Sequence, residues 1–194
     1  MIYTFGDSHA RIGWPHHKWL KLYEIGPILA YSFGKEKLKR LNIVNFNVKE
    51  NDTVIFSFGE IDCRCHIHKH SSKESIDEDI NKIIFNYFEA VKENVQQFKS
   101  LKVYILSVPP AARKEKIQDN KNFPHLGTNE ERKLYVDIFN KTLSKLCLQY
   151  SFNFLNHHDN HADEEGYLNY KFSFDGVHVT DNNFFNNFLL SVSQ

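Results

Sequence analysis

Ile2-Tyr3-Thr4-Phe5-Gly6-Asp7-Ser8 decides the fold. Four β-prone residues without a charge run into a glycine, then into two residues that favour tight turns. Such a run suits a strand covered on both faces, and the glycine marks its end. The pattern returns downstream. Thr53-Val54-Ile55-Phe56-Ser57-Phe58 stops at Gly59, and Val103-Tyr104-Ile105-Leu106-Ser107-Val108 stops at Pro109-Pro110. Phe152-Asn153-Phe154-Leu155 reads as another strand, and so does Leu20 to Ile25.

Helical patterns fill the intervals. Ile76, Ile80, Ile83, Ile84, Tyr87, Val91, Val95 and Phe98 recur at three-to-four spacing, with Ser72 or Ser75 as the cap and Asp77, Glu78 and Asp79 in the first turn. Leu134, Ile138, Phe139, Leu143, Leu146 and Tyr150 mark a second helix, opened by Thr128 with Glu131 at capping-box spacing. Leu29 to Leu41 and Asn182 to Val192 complete the set. Strands alternating with helices predict a parallel sheet of about five strands between two helical layers. The expected fold is therefore an α/β three-layer α/β/α sandwich, flavodoxin-like, in one domain over residues 1–194.

The chain has 194 residues, enough for a substantial core, with 41% hydrophobic and 25% charged residues. Its 24 basic and 24 acidic side chains cancel, which gives no bulk charge for nucleic acid or an anionic membrane. No apolar stretch approaches the roughly 20 residues that span a bilayer. Cys63, Cys65 and Cys147 leave one thiol over in any pairing, which fits a reducing compartment, so the expected location is cytoplasmic.

Ligands of such sheets bind beyond the carboxyl ends of the strands. The informative loops are therefore Gly6 to Trp14, Gly59 to Ser72, Pro109 to Thr128 and His157 to His178. Ser8 follows a tight turn at a strand end, where its Oγ can face solvent and its N–H a developing oxyanion. Asp175 and His178 are three apart on a turn, a spacing that lets the carboxylate reach Nδ1 while Nε2 faces the serine. A nucleophile, a base and an anion behind the base are the parts of a hydrolytic triad.

Gly6-Asp7-Ser8 and Asp175-x-x-His178, one near each end of the chain, resemble the first and last motif blocks of the SGNH (GDSL-type) hydrolases. Gly6-Asp7-Ser8-His9-Ala10 is also similar to the start of SGNH domains linked to polysaccharide O-acetylation. The resemblance implies Ser8 as nucleophile, His178 as general base and Asp175 as its orienter, with no metal and no cofactor. It also implies an oxyanion hole made by the N–H groups of Ser8 and a second-block glycine, for which Gly26 is a better candidate than Gly34.

The third block is usually Gly-x-Asn-Asp, and here it reads Gly59-Glu60-Ile61-Asp62. Isoleucine cannot donate a hydrogen bond, and losing such a donor costs ~10²–10³ in rate. Arg64 is the expected substitute. Glu60 and Asp62 equally suit a structural ion-pair network with it. Asp7, His9, Gly59, Glu60, Asp62 and His66 are assigned to substrate contact.

Two further segments carry metal-ligating residue types: Cys63-x-Cys65-His66-x-His68-x-His70 and His157-His158-x-x-His161-x-Asp163. Neither has paired-ligand spacing, so both are read as substrate-contacting or solvated. Trp14, His16, His17 and Trp19 suit stacking on a sugar or, for Trp19, the core. The expected activity is hydrolysis of small O-acyl esters, acetyl esters of carbohydrate above all. The alternatives are an O-acetyltransferase using the same site, a non-catalytic carbohydrate-binding protein and a metal-dependent hydrolase. The expected partner is a small-molecule or glycan ester.

Overall fold

The computed structural model describes residues 1–117 and 120–192. Gln118 and Asp119, which fall in the expected Pro109 to Thr128 segment, lie outside the described residues. In chain order the elements are β1 (Ile2–Gly6), β2 (Leu20–Glu24), α1 (Ala30–Glu36), β3 (Thr53–Ser57), α2 (Ile67–His70), α3 (Ile76–Val95), β4 (Lys102–Leu106), α4 (Asn129–Tyr150), β5 (Asn153–Leu155), α5 (His158–His161) and α6 (Asn182–Val192). The five strands are all parallel, in the order β2-β1-β3-β4-β5. This is the expected α/β sandwich.

Strand alternation sends successive side chains to opposite helical layers. Tyr3, Phe5, Val54, Phe56, Val103 and Ile105 enter the larger cluster, with Phe33 of α1, Ile84 and Phe88 of α3 and Phe139 of α4. Ile2, Ile55 and Leu106 enter the smaller one, with Trp14 and with Phe185 and Leu189 of α6. Trp14 is thus core rather than a sugar platform, its indole N–H donating to the His9 carbonyl at 3.1 Å. Trp19 packs against the same cluster.

The expected strands shift by a residue or two. Larger differences appear in the helices. The pattern over Leu29 to Leu41 yields a helix that ends at Glu36, because Lys37 turns to φ 52° and starts a short 3₁₀ turn. On α4 the buried face carries Tyr135, Val136, Phe139, Leu143, Leu146 and Cys147, while Leu134 is 49% exposed. Thr128 and Glu131 form the expected capping box, with bonds of 3.1 and 2.8 Å. Ser75 holds the N-cap position of α3 without a side-chain cap bond, its hydroxyl donating to Asp79 instead.

In this strand order β1 is an interior strand, second from the edge, with β2 on one side and β3 on the other. The chain therefore switches direction beside β1, where a crevice opens at the carboxyl ends. Gly6 ends β1 level with Glu24 of β2 and Ser57 of β3. A Cβ at Gly6 would lie 1.9 Å from the Ser57 carbonyl oxygen, so only glycine lets the chain turn there.

Candidate active site

Ser8 is the first residue of a 3₁₀ turn, Ser8–Ala10, that follows β1 directly. Asp7 caps the turn, its Oδ1 accepting the His9 backbone N–H at 2.9 Å and the His9 ring Nδ1–H at 3.1 Å. Thr4 Oγ1 donates to the Ala10 carbonyl at 2.5 Å and ties the turn back to its strand. Ser8 Oγ is thereby held at the sheet's switch point, where its hydroxyl lies 2.7 Å from His178 Nε2.

Asp175 and His178 reach Ser8 from the far end of the chain. The Asp175 carboxylate accepts the His178 ring Nδ1–H at 2.5 Å and the backbone N–H groups of Val177 and His178 at 2.9 Å each. These bonds fix the tautomer: with the proton on Nδ1, Nε2 presents its lone pair to Ser8. Burial by itself raises the Asp175 carboxyl, but hydrogen bonds from His178 and Val177 outweigh it and leave it below the usual range. Burial and the nearby His9 charge hold His178 below its ordinary value, against the pull of Asp175. The resting ring is therefore neutral at neutral pH.

His9 stands behind this chain, 6% exposed. Burial works against its charged form, yet the bond to Asp7 and the charges of Asp7 and Glu60 leave it raised. Its Nε2–H points to the Val177 carbonyl at 3.5 Å, so both ring nitrogens face acceptors. Asp7 and His9, expected at the substrate, instead build the turn from behind.

Asp62 is the clearest difference. It is 0% exposed, and its oxygens accept the N–H groups of Ala30 at 2.7 Å and Tyr31 at 3.1 Å. The residue holds the start of α1 and is out of substrate reach. Gly59, at φ 122°, is buried against Phe139, where a Cβ would sit 2.6 Å from the ring. Ile61 is 4% exposed. Residues 62–66 wind as a π turn into α2 and carry His66 away from the cleft, between the rings of Tyr31 and His70.

Glu60 and Arg64, one turn apart, form an ion pair at 3.0 Å, with both side chains largely buried. Asp62 takes no part in that pair. Gly26 lies two residues beyond β2 at φ 104°, next to Ile25, whose N–H donates to the Gly6 carbonyl at 2.9 Å. That places it on the carboxyl edge beside the Ser8 turn.

The open cleft here has a volume of about 760 Å³, and Arg64, His125, Tyr170, Phe174, Asp175 and His178 are among its walls. Tyr170, Phe174 and His125 escape the sequence reading because they belong to no motif. Phe174, directly before Asp175, is 73% exposed and stacks on His178 at 6.4 Å with a 12° interplanar angle.

Among the described residues no group of three or more His, Cys, Asp or Glu is arranged to hold a metal ion. His157 and His161 are buried and serve the fold. The His157 Nε2–H donates to the Ser107 carbonyl at 2.8 Å, and the His161 Nδ1–H to the His157 carbonyl at 2.6 Å. Burial pushes both below the ordinary histidine value. No helix among the described residues is long and apolar enough to cross a membrane.

No protein-family profile matches the chain, and no curated protein sequence does. Solved structures do match. A GDSL-like lipase from Bacteroides thetaiotaomicron aligns with a TM-score of 0.64 at 14% identity, over 99% of this chain and 87% of its own. A carbohydrate acetylesterase from Sinorhizobium meliloti aligns at 0.57 and 13%, over 99% and 97%. An aryl esterase from M. smegmatis aligns at 0.55 and 16%, over 100% and 96%. The chain has the SGNH hydrolase fold these proteins share.

Proposed function

We propose that the chain is a serine esterase that hydrolyses small O-acyl esters, with O-acetyl groups on carbohydrate as the favoured class. The observation that carries this reading is the unbroken hydrogen-bond chain from Ser8 through His178 to Asp175, at 2.7 and 2.5 Å. Ser8 attacks the ester carbonyl as its hydroxyl proton passes to His178 Nε2. Asp175, ionised behind the ring, stabilises the imidazolium. The N–H groups of Ser8 and Gly26, with the Arg64 guanidinium, face the tetrahedral oxyanion. Collapse breaks the ester C–O bond, and the Nε2 proton goes to the leaving alcohol. Water, deprotonated by His178, then attacks the acyl-enzyme and frees Ser8.

Carbohydrate is favoured by the wall of the cleft. Phe174 offers an exposed ring face directly beside His178, a surface on which an apolar sugar face stacks. The fold is also that of a carbohydrate acetylesterase. Three free thiols fit a reducing compartment, and we place the protein in the cytoplasm on that ground.

The test is turnover of p-nitrophenyl acetate by wild type and Ser8→Ala, each with and without a chelator. Activity that withstands the chelator and disappears in Ser8→Ala is expected. Equal turnover by both proteins overturns the reading, and loss with chelator alone assigns the chemistry to a metal.

A further inference from the structure

Beside Val177 the cleft adjoins a second pocket whose lining carries buried nitrogens without a protein partner. These are Arg64 Nε, His125 Nδ1 and Arg132 Nε. His125 and Arg132 are each only 2% exposed. The remaining Arg132 nitrogens bond neutral acceptors: the Leu126 carbonyl at 3.0 Å, the Gly127 carbonyl at 2.8 Å, the Ala112 carbonyl at 3.5 Å and the Asn129 side-chain oxygen. A guanidinium removed from water without an anion beside it is costly, and such a group is retained where something negative meets it.

The charges in this lining do not cancel. Arg64 and Arg132 share the lining with one carboxylate, Glu60, which Arg64 already holds at 3.0 Å, while Glu115 and Glu130 act on Arg132 from outside the pocket. His125 is neutral, since burial and the two arginines push it down to about 3. Cys63, which also lines the pocket, is held well above the ordinary thiol value by burial and stays protonated. The result is a net positive pocket with free N–H groups. It is narrow, with a volume of about 20 Å³, so it excludes a sugar ring and takes at most the tip of a substrate, on the scale of a carboxylate. Arg64, His125 and Val177 line both this pocket and the open cleft, and Val177 is bonded directly to His178.

We propose that this pocket holds a carboxylate borne by the ester substrate, so that the enzyme acts on acidic esters in preference to neutral ones. The proposal deepens the esterase reading and rests on it. The carboxylate belongs to the acyl part, as in a half-ester of a dicarboxylic acid, or to the alcohol part, as in an acetylated uronic acid. Arg132 and His125 meet the same group in either case, in the charge-assisted geometry that favours arginine.

Calorimetric titration of the Ser8→Ala protein tests this without turnover. Propionate is titrated against propionamide for the acyl source, and glucuronate against glucose for the alcohol source. One acid is expected to bind at least roughly tenfold tighter than its neutral counterpart, the scale of one hydrogen bond to a charged group. Which pair shows the preference names the source. No preference in either pair overturns the proposal.

Arg132→Met in the same background is expected to abolish the preference. Because Arg132 also holds the 126–129 turn, His125→Leu provides a second reading, with a fall of roughly tenfold expected. An undiminished preference in a folded Arg132→Met protein, or in His125→Leu, overturns the assignment. Acetate-ester turnover that depends on Ser8, together with no acid preference, removes the carboxylate pocket and leaves the esterase standing. Acid binding without Ser8-dependent turnover removes the esterase reading instead.

Discussion

The rings of His9 and His178 lie 4.7 Å apart, centroid to centroid, inclined by 34°. After burial, His9 is the strongest influence holding His178 below 6.5. General-base catalysis needs His178 neutral, so the acid limb of kcat/KM is expected below pH 6.5. Replacing His9 with Phe removes a positive charge, which lets His178 rise and moves that limb to higher pH. A pH profile of p-nitrophenyl acetate hydrolysis decides it. Superimposable acid limbs for wild type and His9→Phe sink the idea.

Asp175→Asn keeps the shape and reverses the hydrogen bond. An amide turned to donate to Nδ1 moves the ring proton to Nε2, which then cannot take the Ser8 proton. The expected loss in kcat is on the order of 10⁴ at neutral pH. Retention of more than about a tenth of wild-type kcat removes Asp175 from the mechanism.

Arg64 stands one turn after Glu60, in a block that offers Ile61 where an amide donor usually lies. If its guanidinium meets the oxyanion, Arg64→Ala lowers kcat by ~10²–10³ with little change in KM for a neutral ester. Arg64→Lys recovers part of that loss. Steady-state kinetics on p-nitrophenyl acetate separate the two parameters, and an unchanged kcat leaves stabilisation to the Ser8 and Gly26 N–H groups alone.

The sheet was legible chiefly from β1, β3 and β4, whose apolar runs are closed by glycine or proline, a composition that burial on both faces imposes; β2, with Lys21 and Glu24, and the short β5 carry a fainter signal. That Ser8, Asp175 and His178 meet in space was legible because each lies at a predicted loop of the carboxyl edge. The supporting shell was not. Asp7, His9 and Asp62 look like site residues by position, yet their hydrogen bonds run to backbone and to one another, and sequence does not record where a carboxylate points. Arg132 was hidden for a related reason. An arginine in the first turn of α4 reads as solvated, and only the return of the 126–127 loop over it makes it buried.

Asp62 links fold stability to pH. Burial pushes its carboxyl up to about 7, against the bonds from Tyr31 and Ala30, while the same group ionises near 3.8 in an unfolded chain. A folded state that holds the proton more tightly loses stability as pH rises from about 4 to about 7, because there it binds more protons than the unfolded state. Asp62→Asn cannot titrate, so this falling component is expected to vanish from its stability curve. The amide also has one acceptor for two N–H groups, leaving Ala30 or Tyr31 unpaired at a cost of about 1–3 kcal/mol. Urea denaturation of both proteins at pH 4.5 and pH 7.5 measures the slope and the offset together. Parallel pH dependence in the two proteins excludes Asp62 as the source, whatever the offset.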